Sequence, residues 1–255
     1  MIKTKVIGRV FRQDEIADQI YDMWIETELA QGARPGQFVC VYTKNAAALL
    51  PRPISICEVN EEKTMLRLVY RTVGTGTNEF ADYHAGTEIS LLGPLGNGFP
   101  VEKAAGKRVF LIGGGIGIPP MLQLSKEIKK AGQAYCELSV LGYRNELFLN
   151  TDLEKYSQVY VATEDGSAGT KGTVLDAIKE KGLSGDVIFA CGPIKEYAAA
   201  NNMEAYISLE EHMACGVGAC LGCVCKTKNV DVHSHVHNSR ICTDGPVYNA
   251  EEVEI

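Results

Sequence analysis

RVFLIGGGIGIPPMLQLSKEIKKAG, residues 108–132, runs from a strand through a glycine loop into a helix. The apolar, β-branched start suits a buried strand. The amphipathic stretch that follows has proline in its first turn and glycine after its end, the usual asymmetry of helix termini. The alternation continues through CELSVLGY (136–143), a short ELFLN (146–150), QVYVAT (158–163), the helical TVLDAIKEKG (173–182), DVIFACG (186–192), the helical PIKEYAAANNM (193–203) and AYISLE (205–210). Strand and helix taking turns in this way predict an α/β unit built on a doubly wound parallel sheet, with ligands beyond the carboxyl ends of the strands.

Upstream the period changes. KVIGRVF (5–11), IYDMWIETE (20–28), GQFVCVYT (36–43), PISICEV (53–59), MLRLVYRT (65–72) and TEISLLG (87–93) are short β-branched and aromatic runs separated by turn formers. With one short helical candidate near TNEFADY (77–83), they predict a small antiparallel β barrel. Downstream of AYISLE the chain turns glycine- and cysteine-rich with little periodicity, so its order is expected to come from something other than a core. The expected division is a barrel over 1–102, a parallel-sheet domain over 103–208 and a small C-terminal module over 209–255.

The 255 residues have room for two small domains and a short module, and 45% apolar against 22% charged residues describe an ordinary globular chain. A net charge of −7 without a basic cluster argues against a nucleic-acid partner. The N-terminus MIKTKVIGRV lacks the apolar stretch of a signal peptide, and no apolar run is long enough to cross a bilayer, so a cytoplasmic location is expected. Nine cysteines in such a chain read as metal ligands or reduced thiols rather than disulfides.

Cys40, Cys57, Cys136 and Cys191 are scattered among apolar neighbours, whereas the other five cysteines fall near the C-terminus. Cys215-x4-Cys220-x2-Cys223 with a distant Cys242 has the spacing of plant-type [2Fe-2S] ferredoxins, in which one loop supplies three thiolates and a later segment the fourth. Gly216, Gly218 and Gly222 suit a loop that turns backbone N–H groups toward sulfur. Structural zinc is the competing metal, though zinc sites usually present two separated cysteine pairs. Cys225 is a spare candidate ligand. His233, His235 and His237 alternate at strand spacing and would share one side of a hairpin, either as a solvated face or as a metal site.

Gly113, Gly114, Gly115 and Gly117 link a strand to a helix N-terminus, where free N–H groups favour a pyrophosphate; position 118 is isoleucine, so this is not the dinucleotide fingerprint G-x-G-x-x-G. A tight turn packing helix on sheet is the plain alternative. Arg52-Pro53-Ile54-Ser55 places a cation and a hydroxyl on a proline-stiffened strand, and Gly74-Thr75-Gly76-Thr77 opens the barrel's helix. Cys191-Gly192-Pro193 closes the last strand before a helix. Glu164 and Asp165 follow QVYVAT, where carboxylates accept hydrogen bonds from a ribose diol and repel a 2′-phosphate, so NAD(H) is expected over NADP(H). Lys171 nearby and a merely solvated acidic turn leave that preference open.

This order of motifs, with PGQF at 35–38, resembles the ferredoxin reductase superfamily, in which a flavin-binding barrel precedes a nicotinamide-binding sheet domain. The resemblance covers the chain to about residue 208. It implies that Arg52 meets the FAD phosphate and that Ser55, with Pro53 and Ile54, lies near the isoalloxazine. Val69, Tyr70 and Arg71 would line the flavin, and Gly76 with Thr77 would hold the diphosphate. GGGIGIPP would bind the nicotinamide dinucleotide and Cys191-Gly192-Pro193 would approach its nicotinamide.

With Glu210, Met213-Ala214-Cys215-Gly216, Gly218-Ala219-Cys220, Cys223 and CTDGPVY (242–248) added, the whole chain resembles the electron transfer subunits of the NAD-dependent (class B) dihydroorotate dehydrogenases. The insert before Cys242 is longer and richer in histidine than that family leads one to expect. The resemblance implies a pyrimidine-biosynthesis enzyme in which an FMN-containing catalytic subunit oxidises dihydroorotate. Electrons then pass through [2Fe-2S] and FAD on this chain to NAD⁺, in a heterotetramer with two copies of each subunit. Two other readings stay open: a subunit of an NADH-dependent ferredoxin or sulfide-type oxidoreductase, and a non-catalytic module that binds zinc.

Overall fold

In the computed structural model, residues 5–231 and 235–254 are described. The six expected N-terminal segments form β1 (Lys5–Ala17), β2 (Ile20–Glu26), β3 (Phe38–Tyr42), β4 (Arg52–Val59), β5 (Met65–Arg71) and β6 (Glu88–Leu95). They close into an antiparallel barrel in the order β1-β2-β5-β4-β3-β6. Alternate residues such as Met23, Ile25, Val39, Val41, Leu66 and Leu68 fill its interior. Helix α1 (Thr75–Ala81) follows β5 and buries Phe80 in that same core.

The parallel-sheet unit comprises β7 (Arg108–Gly114), α2 (Pro119–Ala131), β8 (Cys136–Tyr143), α3 (Asn150–Leu153), β9 (Gln158–Thr163), β10 (Thr170–Lys171), α4 (Val174–Glu180), β11 (Val187–Cys191), α5 (Lys195–Ala200) and β12 (Glu204–Ser208). Beyond it lie a hairpin, β13 (Val224–Lys226) with β14 (Asn238–Arg240), and a last strand, β15 (Val247–Asn249). The sheet order is β10-β9-β8-β7-β11-β12-β15. The chain steps outward from β7 in one direction and then returns to β11 on β7's other side. The strand order therefore reverses between β7 and β11, the place where open α/β sheets bind ligands.

Barrel and sheet are joined through Arg67 and Lys126. Arg67 on β5 forks onto Asp22 at 2.8 Å and reaches Glu58 at 3.1 Å and Asp152, beyond the barrel, at 3.0 Å. Lys126 on α2 returns the contact to Glu58 at 3.2 Å. Buried charges of this kind contribute little net stability, but losing one partner strands the others, so they fix how the two units face each other.

The C-terminal module departs from expectation in having an apolar core after all. Phe38, Cys40, Leu92 and Leu95 from the barrel pack with Met213, Cys223, Ile241, Cys242, Tyr248 and Val253. The periodicity was invisible because four of those ten residues come from more than 100 positions away in sequence. β15 pairs antiparallel with β12, so the module also extends the parallel sheet. Asn97 latches the joint: its side-chain N–H groups donate to the carbonyls of Asp244 (3.0 Å) and Val247 (2.7 Å), and its Oδ1 accepts the Val247 N–H at 3.0 Å. At ~1 kcal/mol net per hydrogen bond, Asn97→Ala is expected to lower the unfolding free energy by roughly 2–3 kcal/mol. Denaturant unfolding measures this, and a wild-type value would contradict the latch.

Among the described residues, the expected histidine alternation breaks at His235. His235 adopts φ +57°, in the left-handed region, and its N–H closes a turn onto the Asp231 carbonyl at 2.9 Å, so no strand runs through it. His237 is exposed and its Nδ1 lies 3.0 Å from the Lys228 carbonyl; His233 falls outside the described residues. Among the described residues no helix is long and apolar enough to cross a membrane.

Candidate functional site

Three groups of residues singled out in the sequence assemble around the barrel and the switch point. The first lies where β4 begins and α1 starts. Arg52 and α1 are far apart in sequence, yet a side chain at Gly76 would begin 2.1 Å from Arg52 Nε, so the guanidinium lies directly on the helix start. Arg52 Nη1 also donates to the Leu50 carbonyl. Thr77 Oγ1 accepts the N–H groups of Val73 (2.9 Å) and Gly74 (3.2 Å), which shapes the turn before the helix. A fixed cation beside glycine backbone suits a phosphate. Ser55 stands opposite Phe38, and Pro53 opposite Cys40, in the β3–β4 ladder.

The β5 trio divides by strand alternation. Val69 is buried in the core shared with Ile118 and Met121 of the sheet unit, and Arg71 is exposed with its Nη2 3.7 Å from where a side chain at Gly115 would begin. Tyr70 turns the other way. Its ring lies in the barrel core beside Phe80 and its hydroxyl donates to Gln13 Oε1 at 2.9 Å, so its side chain is already committed. Arg71 thus reaches from β5 to the glycine loop, while the Tyr70 side chain is taken up within the barrel.

The second group occupies the switch point. Gly117 lies against Cys191, with 2.6 Å from its would-be side chain to the Cys191 carbonyl. Gly114, Ile116, Gly117, Cys191, Gly192 and Pro193 line a cleft of about 340 Å³. Gly113 sits behind the loop, packed on Ile118. Glu210 was singled out for the family resemblance but given no place in this cleft, and the structure brings its carboxylate to 3.7 Å from Cys191 Sγ. Burial first, and the Glu210 charge second, push the Cys191 thiol well above its ordinary range, so it stays neutral. A carboxylate just after the strand AYIS, at the edge of the reversed strand order, is the signal that could have placed it. Glu164 and Asp165 lie outside the cleft, exposed at the end of β9. Asp165 accepts the Ser167 N–H at 2.9 Å, and Ser167's hydroxyl and backbone hold its carboxyl below the usual range.

The third group is the thiol loop. Val217 N–H donates to Cys215 Sγ at 3.4 Å. Burial alone would raise the Cys215 thiol, but the N–H groups of Val217, Cys220 and Ala219 and the Cys220 side chain outweigh it and bring it down to about 6. Backbone amides converging on sulfur favour a thiolate, as a cluster ligand requires. Gly216 and Gly218, at φ +68° and +81°, supply the left-handed turns that aim them. Cys242 is buried and pushed up to about 12 by burial and by Cys223 beside it, so loading metal there releases a proton. Cys220 is exposed and Cys223 buried. Among the described residues no three ligating side chains close round one ion; a two-iron cluster asks only two thiolates of each iron. Cys225 is half-buried against the same core and stands opposite Ser239 in the β13–β14 ladder, whose Oγ lies 2.9 Å from the Tyr248 hydroxyl. All nine cysteines are free thiols.

Residues 210–254 match the family model described as the iron-sulfur cluster binding domain of dihydroorotate dehydrogenase B. The chain is similar to a Geobacillus sp. (strain WCH70) protein, 42% identical over 253 residues and 96% of each chain, named dihydroorotate dehydrogenase B (NAD(+)), electron transfer subunit. A Bacillus caldolyticus protein of the same name is 41% identical over 261 residues, covering 97% of this chain and 99% of that one. Among solved structures, the NADH-dependent reduced ferredoxin–NADP oxidoreductase superposes with a TM-score of 0.85 at 28% identity, over 98% of this chain and 90% of that one. A ferredoxin NADP⁺ reductase from Neisseria gonorrhoeae shares the fold, with a TM-score of 0.64 at 15% identity over 78% of this chain and 91% of its own.

Proposed function

Because the chain belongs to the family of dihydroorotate dehydrogenase B (NAD⁺) electron transfer subunits, we propose that it carries electrons from a separate catalytic subunit, which oxidises dihydroorotate, to NAD⁺. One observation carries this reading: the thiol loop and the Arg52–Ser55 strand lie on neighbouring strands of one barrel. Gly216 abuts Cys40 on β3, and Cys40 stands opposite Pro53 on β4. An iron–sulfur centre and a flavin held there would share a single strand between them.

The cofactors are [2Fe-2S], FAD and NAD(H) as co-substrate. Bound FAD exchanges one electron at a time with a cluster and a hydride with nicotinamide, which is the conversion this family needs. Cys215, Cys220, Cys223 and Cys242 hold the iron, with the amides of the 216–220 loop stabilising sulfur charge. Arg52 and the α1 start hold the flavin's phosphates, and the missing side chain at Gly76 leaves the guanidinium room to lie on the helix start. Gly113, Gly114, Gly115 and Gly117 receive the dinucleotide phosphates, while Cys191, Gly192 and Pro193 border the nicotinamide. The Cys191 S–H donates to Glu210, whose carboxylate keeps acceptor capacity at that end of the cleft. Glu164 and Asp165 face the ribose diol and disfavour a 2′-phosphate. The domain limits 1–102, 103–208 and 209–255 follow these three sites, with β15 of the last module completing the sheet of the second.

The partner is the FMN-containing catalytic subunit, two copies of each chain forming a heterotetramer. It meets this chain at the exposed Cys220, where Val217 and Leu221 also stand 42% and 57% exposed. A cytoplasmic location fits nine cysteines of which none is in a disulfide. The superposition on the NADH-dependent ferredoxin–NADP oxidoreductase supports a second reading, a subunit of a ferredoxin-type oxidoreductase. Zinc in place of iron is disfavoured by the family model over residues 210–254.

The isolated chain, loaded with its cofactors, is expected to reduce an artificial dye with NADH faster than with NADPH, and to leave dihydroorotate untouched until the catalytic subunit is added. Dihydroorotate turnover by the lone chain would overturn the division of labour. Coupling to ferredoxin but not to the catalytic subunit would favour the second reading.

A further inference from the structure

A fifth thiol shares the core of two of the cysteines that we assign to iron and abuts the loop that follows a third. Cys40, in the middle of β3, is fully buried in the apolar cluster that contains Cys223 and Cys242. Gly216, the residue after Cys215, is held so close that a side chain there would begin 2.9 Å from Cys40 Sγ. The thiol therefore touches the backbone of the cysteine loop itself. Along β3, Val39 and Val41 point into the barrel while Phe38 and Cys40 point out toward the module. On its backbone side Cys40 stands opposite Pro53 of the flavin motif. Among the described residues, no hydrogen bond engages the Cys40 thiol. An S–H group kept dry and unspent beside a loop of sulfur ligands calls for a role.

We propose that Cys40 is a positioning residue for the cluster: its S–H group donates a hydrogen bond to cluster or ligand sulfur, seats the loop on β3 and eases reduction of the iron. The inference rests on the iron–sulfur reading above. The four spaced cysteines complete the ligand set of two irons, which leaves Cys40 as donor rather than ligand. A hydrogen bond to sulfur stabilises the extra negative charge of the reduced form, so it raises the reduction potential.

The test uses the complete complex carrying Cys40→Ala, Cys40→Val, Cys40→Ser or, as a control, Cys57→Ala. Cys57 is equally buried but packs in the core between barrel and sheet, away from the module. Iron content, the electron paramagnetic resonance spectrum and a potentiometric titration are read for each. All variants are expected to keep two irons and a [2Fe-2S] signal. At fixed potential, the reduced-to-oxidised ratio of the cluster should fall about threefold to tenfold in Cys40→Ala and Cys40→Val, tenfold being ~59 mV for one electron. It should stay near wild type in Cys40→Ser and Cys57→Ala. An unshifted titration in Cys40→Ala, an equal shift in Cys57→Ala, or loss of iron from both apolar Cys40 variants overturns the proposal. If Cys40→Ala alone loses iron, Cys40→Val reads the shift in its place. A wild-type chain without a cluster signal would instead sink the underlying iron–sulfur reading.

Discussion

Cys223→Ser is expected to strip the iron from the chain and to cut dihydroorotate-to-NAD⁺ turnover by the complex at least about 100-fold, while NADH-driven dye reduction persists. Losses of 10–100-fold follow removal of mere outer-shell partners of a metal, so deleting a ligand should exceed them. Cys223 is 2% exposed in the core between barrel and module, where a serine hydroxyl is both a poor iron ligand and a buried polar group. The thiol loop stands apart from the switch-point cleft, so the NADH-to-flavin half-reaction is left in place. Cys225→Ser provides the contrast. Cys225 pairs with Ser239 across the β13–β14 hairpin and lies outside the ferredoxin-type spacing, so that variant should keep its iron. Iron and sulfide analysis with steady-state rates of both reactions decides between them. Iron lost from Cys225→Ser and kept by Cys223→Ser would mean the wrong ligand had been chosen.

Arg52→Ala is expected to weaken FAD binding by about 10- to 100-fold, since a hydrogen bond to a charged group contributes roughly 1.5–3 kcal/mol. Gly76→Ala should act in the same direction without removing the charge. Its new methyl would stand 2.1 Å from Arg52 Nε and displace the guanidinium from the helix start. Flavin fluorescence on titration of the apoprotein measures both variants, and the affinity of the cysteine loop for iron should be unchanged. FAD binding at wild-type strength in both variants would remove Arg52 from the flavin site.

The barrel and the parallel sheet were legible because each rests on a local period. Alternation in segments such as MLRLVYR and the strand–glycine–helix run at 108–132 are written within a few residues. The grouping of Arg52 with Gly76 and of Gly117 with Cys191 followed from the family resemblance, and the structure brings both pairs together. What escaped depends on pairs far apart in the chain. FVCVY at 38–42 is apolar on both faces, which hides that Cys40 looks out toward the module. β15 is three residues long and gains its place only by pairing with β12. Asn97 reads as an ordinary loop polar residue until the segment 244–247 arrives beside it. Tyr70 reads as part of a flavin wall with its neighbours, but strand alternation turns it into the barrel.

The most direct trial of a flavin and an iron pair in electronic contact on this one polypeptide is anaerobic addition of NADH to the cofactor-loaded chain, followed by optical and paramagnetic resonance spectra of the same sample. The account predicts bleaching of the flavin band together with the signal of a reduced [2Fe-2S] cluster. Flavin that bleaches while no such signal appears, even after a stronger chemical reductant is added, would contradict it.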